Sequence, residues 1–345
     1  MLIADDTSEK NLYHLEGTME YRLLGRTGVH VSVLGLGCGG FGGVGSAPEL
    51  FGKGEDQPTA FALMDRAWEA GINYFDTADS YGGGASETMI GAWLKTRKVR
   101  DKLVLSTKVF YAMAEGPNDR SLSRRHIIQA VEGSLRRLQT DYIDLYVTME
   151  PDPNTAMEET LRAMDELVRA GNVRFIGASN IDARQLSESL SASRRLGLAQ
   201  YESVQNGYNL LDRAIEAEVL PLAAPEQLAI TPFGPTAGGL LTGKYRYGEP
   251  AQKDSRMALR PQPYQHLLNQ RTFRSIDALR AAAAARGVTT AALALAWVLS
   301  HPQVTAALIG PRRVEHFAPW LEAVDIHLTP AERKALVSQM EAMAA

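Results

Sequence analysis

An aspartate, a tyrosine and a lysine near the ends of two predicted strands are the residues of this chain best suited to chemistry. Asp76 ends the hydrophobic lead-in 72–75, and Tyr81 follows five positions later, directly ahead of three glycines. Lys108 ends the next predicted strand. A lysine ammonium within about 4–6 Å of a phenol lowers its pKa from about 10, and an aspartate keeps that lysine charged. Together the three residues predict a proton donor for an oxyanion that forms on a carbonyl.

Predicted strands and helices alternate from Val33 onward and give eight strand–helix units. Eight such units in one chain of this length predict an α/β fold, the (β/α)8 TIM barrel, with an N-terminal β-hairpin and extra C-terminal helices. A doubly wound sheet is the weaker alternative, because it rarely needs eight strands and has no use for the hairpin. We predict a loose leader over residues 1–19 and a single barrel domain over residues 20–345.

Three helix starts carry the capping-box pattern, one of them at Thr329 with Glu332. Thr155 precedes Glu158 by three positions, and Asp182 precedes Gln185 by three. Such pairs satisfy free N–H groups in the first turn of a helix. We therefore predict that a helix begins directly after the first residue of each pair.

Composition and charge exclude several classes of function. The 36 Lys and Arg against 40 Asp and Glu give a net charge of −4, so no basic field favours nucleic acid or an anionic membrane. The single cysteine, Cys38, excludes an internal disulfide and fits a reducing compartment. We predict a cytoplasmic protein with a small-molecule substrate, no metal site, no nucleic-acid or membrane partner, and an oligomeric state that the sequence leaves open.

Six ordered motifs fall at the predicted strand ends, where the active site of a barrel lies. They are DTADSYG at 76–82, STK at 106–108, GASN at 177–180, VQN at 204–206, GGLLTGKY at 238–245 and IGPR at 309–312. With these motifs the chain resembles an aldo-keto reductase, a (β/α)8 NADPH-dependent oxidoreductase, from Tyr21 to about Leu328.

The resemblance implies a role for individual positions. Tyr81 would be the proton donor, with Asp76 and Lys108 tuning it. The cofactor NADPH would be held by Ser179, Asn180, Gln205, Phe233, Gly234, Gly238, Gly310, Arg312 and His316. Within this set the first three would hold the nicotinamide carboxamide, Phe233 would stack on its ring, and Arg312 would meet the 2′-phosphate, which a guanidinium binds in bidentate fashion.

Several of these residues also have an ordinary structural explanation. Ser179 and Asn180 suit a helix N-cap region, Phe233 suits the core, and Arg312 beside Arg313 suits a solvated face. The joint pattern, rather than any single residue, favours the functional interpretation.

One catalytic position departs from the family pattern. The family usually ends its fourth strand with a histidine, but Met149 takes that position in the segment 144–152. A thioether cannot donate a hydrogen bond to a carbonyl oxygen, and losing one oxyanion donor typically costs about 10²–10³ in rate. Either Tyr81 acts alone, or Glu150 or a substrate group replaces the missing donor, or the reaction differs.

These observations leave three functional hypotheses. The leading one is an NADPH-dependent oxidoreductase that transfers hydride from nicotinamide C4 to a C=O, C=C or C=N bond, with Tyr81 as proton donor. The alternatives are an NADPH-binding regulatory or scaffold protein with residual catalysis, and an alcohol or sugar dehydrogenase that runs in the oxidative direction.

Overall fold

The structure, a computed structural model, describes residues 19–253 and 255–344. These residues include ten strands and eleven α-helices. The predicted leader covers residues 1–19, of which 1–18 lie outside the described residues. The strands are β1 (Tyr21–Leu23), β2 (His30–Ser32), β3 (Leu34–Gly37), β4 (Tyr74–Asp76), β5 (Val104–Val109), β6 (Ile143–Thr148), β7 (Val173–Ser179), β8 (Tyr201–Gln205), β9 (Ala229–Ile230) and β10 (Ala307–Ile309).

The helices fall between and after these strands. They are α1 (Gln57–Glu69), α2 (Ala85–Arg97), α3 (Arg124–Leu138), α4 (Met157–Arg169), α5 (Ala183–Leu196), α6 (Val219–Ala223), α7 (Arg256–Leu259), α8 (Gln270–Ala285), α9 (Thr290–Leu299), α10 (Phe317–Val324) and α11 (Pro330–Ala344).

The predicted barrel is confirmed by the sheet topology. Strands β3 to β10 form one parallel eight-stranded sheet in which β10 pairs with β3 and the other neighbours follow chain order. Single bridges join Ile230 of β9 to Val304, just before β10, and Phe233, just after β9, to Leu308 of β10, so the sheet curls round on itself. The antiparallel pair β1–β2 is the predicted N-terminal hairpin. The carboxyl ends of all eight parallel strands therefore open at one end of the barrel.

The seventh barrel strand is shorter than the predicted run 228–233. Only Ala229 and Ile230 belong to β9, and the chain then passes through Pro232. Proline has no N–H to donate to a neighbouring strand, so it is confined to strand ends and irregular positions. Beyond it, Phe233 pairs again through single bridges, which places it at the mouth of the barrel.

Two of the three predicted capping boxes form, at Asp182 and at Thr329. At Thr329 the hydroxyl accepts from Glu332 N, and the Glu332 carboxylate accepts from Thr329 N. The Asp182 carboxylate accepts from Gln185 N, and the Gln185 side chain accepts in return from Asp182 N. The box at Thr155 was wrong, because α4 begins after Ala156 without a side-chain cap. The Thr155 hydroxyl donates instead to the Asp152 carboxylate, at 2.7 Å.

Within the described ranges, no single helix is long and apolar enough to cross a membrane. Helices α8 and α9 together reach that length and composition, but they are bent by 94° relative to each other. The second of them is buried within the protein from Ala291 to Leu299.

Candidate active site

Asp76, Lys108 and Tyr81 come together at the carboxyl ends of β4 and β5. Lys108 Nζ lies 2.5 Å from Asp76 Oδ2, 2.9 Å from the Thr77 carbonyl oxygen and 3.5 Å from Tyr81 Oη. Asp76 and Lys108 are 3% and 1% exposed, so this ion pair is shielded from water. The ammonium therefore lies between the carboxylate and the phenol, as the sequence predicts.

Burial is the largest influence on the pKa values of Tyr81 and Lys108. It raises the pKa of the Tyr81 phenol above its ordinary value, and the Lys108 ammonium offsets that rise only in part. The expected net lowering of the Tyr81 pKa was therefore wrong. Burial alone lowers the pKa of Lys108, but Asp76 and Tyr81 more than offset it, so the net pKa is raised. Both groups hold their protons at neutral pH, and Tyr81 is a phenol that can donate.

Gln205, at the end of β8, and Ser179, at the end of β7, connect these two strands to the same carboxylate. Gln205 Nε2 donates to Asp76 Oδ1 at 2.9 Å, and Ser179 Oγ donates to the Gln205 carbonyl at 2.7 Å. Asp76 is thus bonded through both of its oxygens, one to Lys108 and one to Gln205. The structure gathers these five predicted residues, including Tyr81, into one network at the mouth of the barrel.

Met149 and Asn180 form a second part of the site beside this network. Met149 follows β6 directly and is 6% exposed. Asn180 adopts a positive φ of 55° and donates its side-chain N–H groups to the Met149 carbonyl and to Glu150 Oε1, both at 3.0 Å. Tyr111 Oη donates to the same Glu150 oxygen at 3.1 Å. Burial raises the pKa of Glu150, and the bonds from Tyr111 and Asn180 partly offset that rise.

Phe233 offers an apolar surface on the far side of the barrel mouth. It is 38% exposed, unusual for a large aromatic residue at the end of a barrel strand, and its ring lies over Gly207. Gly234 follows with a positive φ of 64°, and its carbonyl accepts from Asn209 Nδ2. Gly238 also has a positive φ, and a Cβ there would lie 2.6 Å from the Tyr264 ring, so only glycine fits.

Arg312, His316 and Gly310 form a separate group after β10. Arg312 N donates to His316 Nδ1 at 3.2 Å, and burial lowers the pKa of His316, which favours the neutral ring that accepts this bond. Arg312 Nε lies 2.6 Å from Glu55 Oε1. Burial raises the pKa of Glu55, and Arg312 partly offsets the rise. A Cβ at Gly310 would meet nothing within 4 Å, so the fold does not demand glycine there.

Sequence reasoning does not single out Glu55, which also lies in this region. It lies in the run GKGED at 52–56, where an acid before a helix reads as a solvated turn. Its partner Arg312 is 257 positions away, so no local pattern indicates the pair. The Thr77 carbonyl, which accepts from Lys108, also escapes sequence reasoning because every residue carries one.

Comparison with known proteins shows which family this barrel, with the Asp–Lys–Tyr network at its mouth, belongs to. The model of the aldo/keto reductase family matches residues 33–341. The chain belongs to the aldo/keto reductase family. The predicted family resemblance is thereby confirmed.

Curated relatives cover nearly the whole chain. An uncharacterized oxidoreductase, YrpG, of Bacillus subtilis (strain 168) is 38% identical over 319 residues, 90% of this chain and 92% of the relative. A probable voltage-gated potassium channel subunit beta of Oryza sativa subsp. japonica is 36% identical over 332 residues, 94% of this chain and 96% of the relative. The aldo-keto reductase YhdN of Bacillus subtilis (strain 168) is 34% identical over 296 residues, 86% of each chain.

Proposed function

We propose that this chain is an NADPH-dependent oxidoreductase that reduces a C=O, C=C or C=N bond of a small organic substrate, with Tyr81 as the proton donor. The observation that carries the proposal is the buried network in which Lys108 lies between Asp76 and Tyr81. Family membership supports an oxidoreductase, and two of the relatives are named as an oxidoreductase and an aldo-keto reductase.

The residues around the network fit a nicotinamide cofactor. A half-exposed aromatic ring at Phe233 suits stacking against a flat heterocycle. Asn180 uses its N–H groups within the protein, which leaves its side-chain oxygen to accept from a carboxamide N–H. Arg312, with 31% of its side chain exposed, supplies a cation for a phosphate group. When bound, NADPH would supply the hydride from nicotinamide C4.

The chain's own residues would handle the proton and the position of the substrate. Tyr81 Oη donates its proton to the oxygen of the substrate carbonyl as negative charge develops there. Lys108 favours that step because its ammonium, 3.5 Å from Tyr81 Oη, stabilises the tyrosinate left behind. Asp76 holds Lys108 charged and aimed, and Gln205 fixes Asp76 in turn. Burial of Asp76 and Lys108 strengthens each of these interactions.

Cofactor titration followed by a substrate screen tests the proposal. We expect NADPH to quench the protein's tryptophan fluorescence on binding, with a lower Kd than NADH. We also expect multiple turnovers on at least one class among carbonyls, enones and imines with NADPH, or alcohols with NADP⁺. Turnover on alcohols alone would favour the oxidative dehydrogenase. Failure to bind either reduced cofactor contradicts the proposal.

A second candidate function is a cofactor-binding regulatory subunit with residual catalysis. Two points support it. The resemblance assigns Met149 to the position where the family usually has a catalytic histidine, and relatives from two plants are named as probable potassium channel beta subunits. The intact Asp76–Lys108–Tyr81 network favours the enzyme. Tight NADPH binding with less than one turnover on every substrate class would favour the regulatory subunit.

A further inference from the structure

Glu55 is a buried carboxylate held against the glycine-rich loop that follows β3. Its backbone N–H donates to the Gly40 carbonyl and its own carbonyl accepts from Gly42 N, both at 2.8 Å. The preceding Gly54 packs so closely that a Cβ there would lie 2.0 Å from the Gly40 oxygen. Two backbone hydrogen bonds and this close packing therefore hold the Glu55 backbone against the loop.

The absence of a side chain at Gly40 leaves space for the Glu55 carboxylate. Glu55 is 5% exposed, and a Cβ at position 40 would lie 2.0 Å from Glu55 Oε2, so a larger residue than Gly40 would displace the carboxylate. Oε2 is buried and has no hydrogen-bond partner among residues 19–253 and 255–344. The other oxygen, Oε1, accepts from Arg312 Nε at 2.6 Å. A buried carboxylate without its cation costs several kcal/mol, so the pair is strongly coupled.

The Glu55–Arg312 ion pair affects how strongly Arg312 can attract a phosphate of the cofactor. NADPH differs from NADH by a 2′-phosphate that carries between one and two negative charges at neutral pH. A guanidinium already paired with a carboxylate has its charge largely offset, and a phosphate on the same guanidinium is repelled by that carboxylate. NADH lacks the phosphate, so its binding does not meet this repulsion.

We propose that Glu55 is a positioning residue that sets cofactor specificity: through Arg312 it weakens the preference for NADPH over NADH. The inference rests on the proposed function, because it takes Arg312 as a residue of the NADPH site. It departs from the simple expectation that Arg312 alone makes the site strongly selective for the phosphorylated cofactor.

Cofactor titrations of charge-neutral variants test this inference. Glu55→Gln keeps an oxygen that accepts from Arg312 Nε but removes the negative charge. We expect the Kd for NADPH to fall by about tenfold and the Kd for NADH to stay within about twofold. Glu49→Gln, an exposed acid in the same connection between β3 and α1, is the matched control and should change neither value.

A double variant separates charge from a general structural effect. In an Arg312→Gln background, Glu55→Gln should no longer improve NADPH binding, because its effect passes through Arg312. Should Glu55→Gln not fold, Glu55→Asp withdraws the charge from Arg312 and should give a smaller gain in NADPH affinity. An unchanged or lower preference for NADPH in the folded variant overturns the inference alone. Absence of binding by the unmodified protein overturns the proposed function itself.

Discussion

At the scale of single residues, Tyr81 is predicted to be the proton donor, but the pKa of its phenol is raised rather than lowered. Sequence motifs locate Asp76, Lys108 and Tyr81 because each lies at or after the carboxyl-terminal end of a barrel strand. They do not give the sign of the Tyr81 pKa shift, because that sign depends on how completely the phenol is buried. Burial outweighs the ammonium, and the result is a protonated acid rather than an easily ionised phenol.

This acidity predicts the pH dependence of reduction. Tyr81 must carry its proton to donate it, and its pKa is raised above the ordinary value of about 10. The midpoint of the alkaline loss of kcat/KM should therefore lie above about pH 10. A pH profile with NADPH in excess measures this. An alkaline midpoint near neutrality would assign the acid to another group.

The buried ion pair predicts separate effects on stability and activity. Lys108→Met leaves the Asp76 carboxylate without its cation in a site that water does not reach, and should lower the free energy of unfolding by about 3–5 kcal/mol. The double variant Lys108→Met/Asp76→Leu removes both charges and should recover part of that stability, but no activity. Urea unfolding and turnover assays measure the two quantities. Equal stability of the single variant and the unmodified protein would contradict the importance of the pair.

Replacing Met149 by histidine is predicted to increase aldehyde reduction. Met149→His introduces a donor at the end of β6, and ordinary aldehyde reduction should rise by about tenfold or more if a missing oxyanion donor limits the rate. Met149→Leu, of similar size and also without a donor, is the control. If the histidine variant reduces aldehydes no faster than the leucine variant, the position has been misread, and Glu150 becomes the favoured replacement.

At the scale of elements, the alternation of strands and helices predicts the barrel, whereas element ends depend on local competition. At Thr155 the capping pattern is present, but the Thr155 hydroxyl donates to the Asp152 carboxylate. That carboxylate also accepts from Leu122 N and Asn154 N. At Asp182 no such competitor intervenes within the described turn, and the box forms. A pattern of four residues cannot reveal a carboxylate that is also held by a loop thirty positions earlier.

Helix stability should reflect this difference between the two caps. Asp182→Ala removes a cap that satisfies the N–H of Gln185 and should lower the free energy of unfolding by about 1 kcal/mol. Thr155→Ala removes no cap and should cost less than half as much. Urea unfolding curves with equal m-values provide the comparison. A larger cost at Thr155 than at Asp182 would show that α4 depends on that hydroxyl after all.

At the scale of the whole molecule, barrel closure brings together residues from both ends of the chain. The Glu55–Arg312 pair spans the connection after the first barrel strand and the loop after the last, and it exists only because β10 pairs with β3. Sequence reasoning predicts the barrel and the motifs at its strand ends. It does not predict which side chains meet across 257 positions. The domain bounds and the cytoplasmic location stay predictions.

The most direct test of the account is the effect of Tyr81→Phe on turnover and on NADPH binding, measured with the best substrate from the screen. The variant keeps the ring but loses the hydroxyl that lies 3.5 Å from Lys108. We predict a loss of turnover of about 10²–10⁴-fold, with the NADPH Kd changed by no more than about twofold. Turnover close to that of the unmodified protein, with binding intact, would contradict the assignment of Tyr81 as the proton donor.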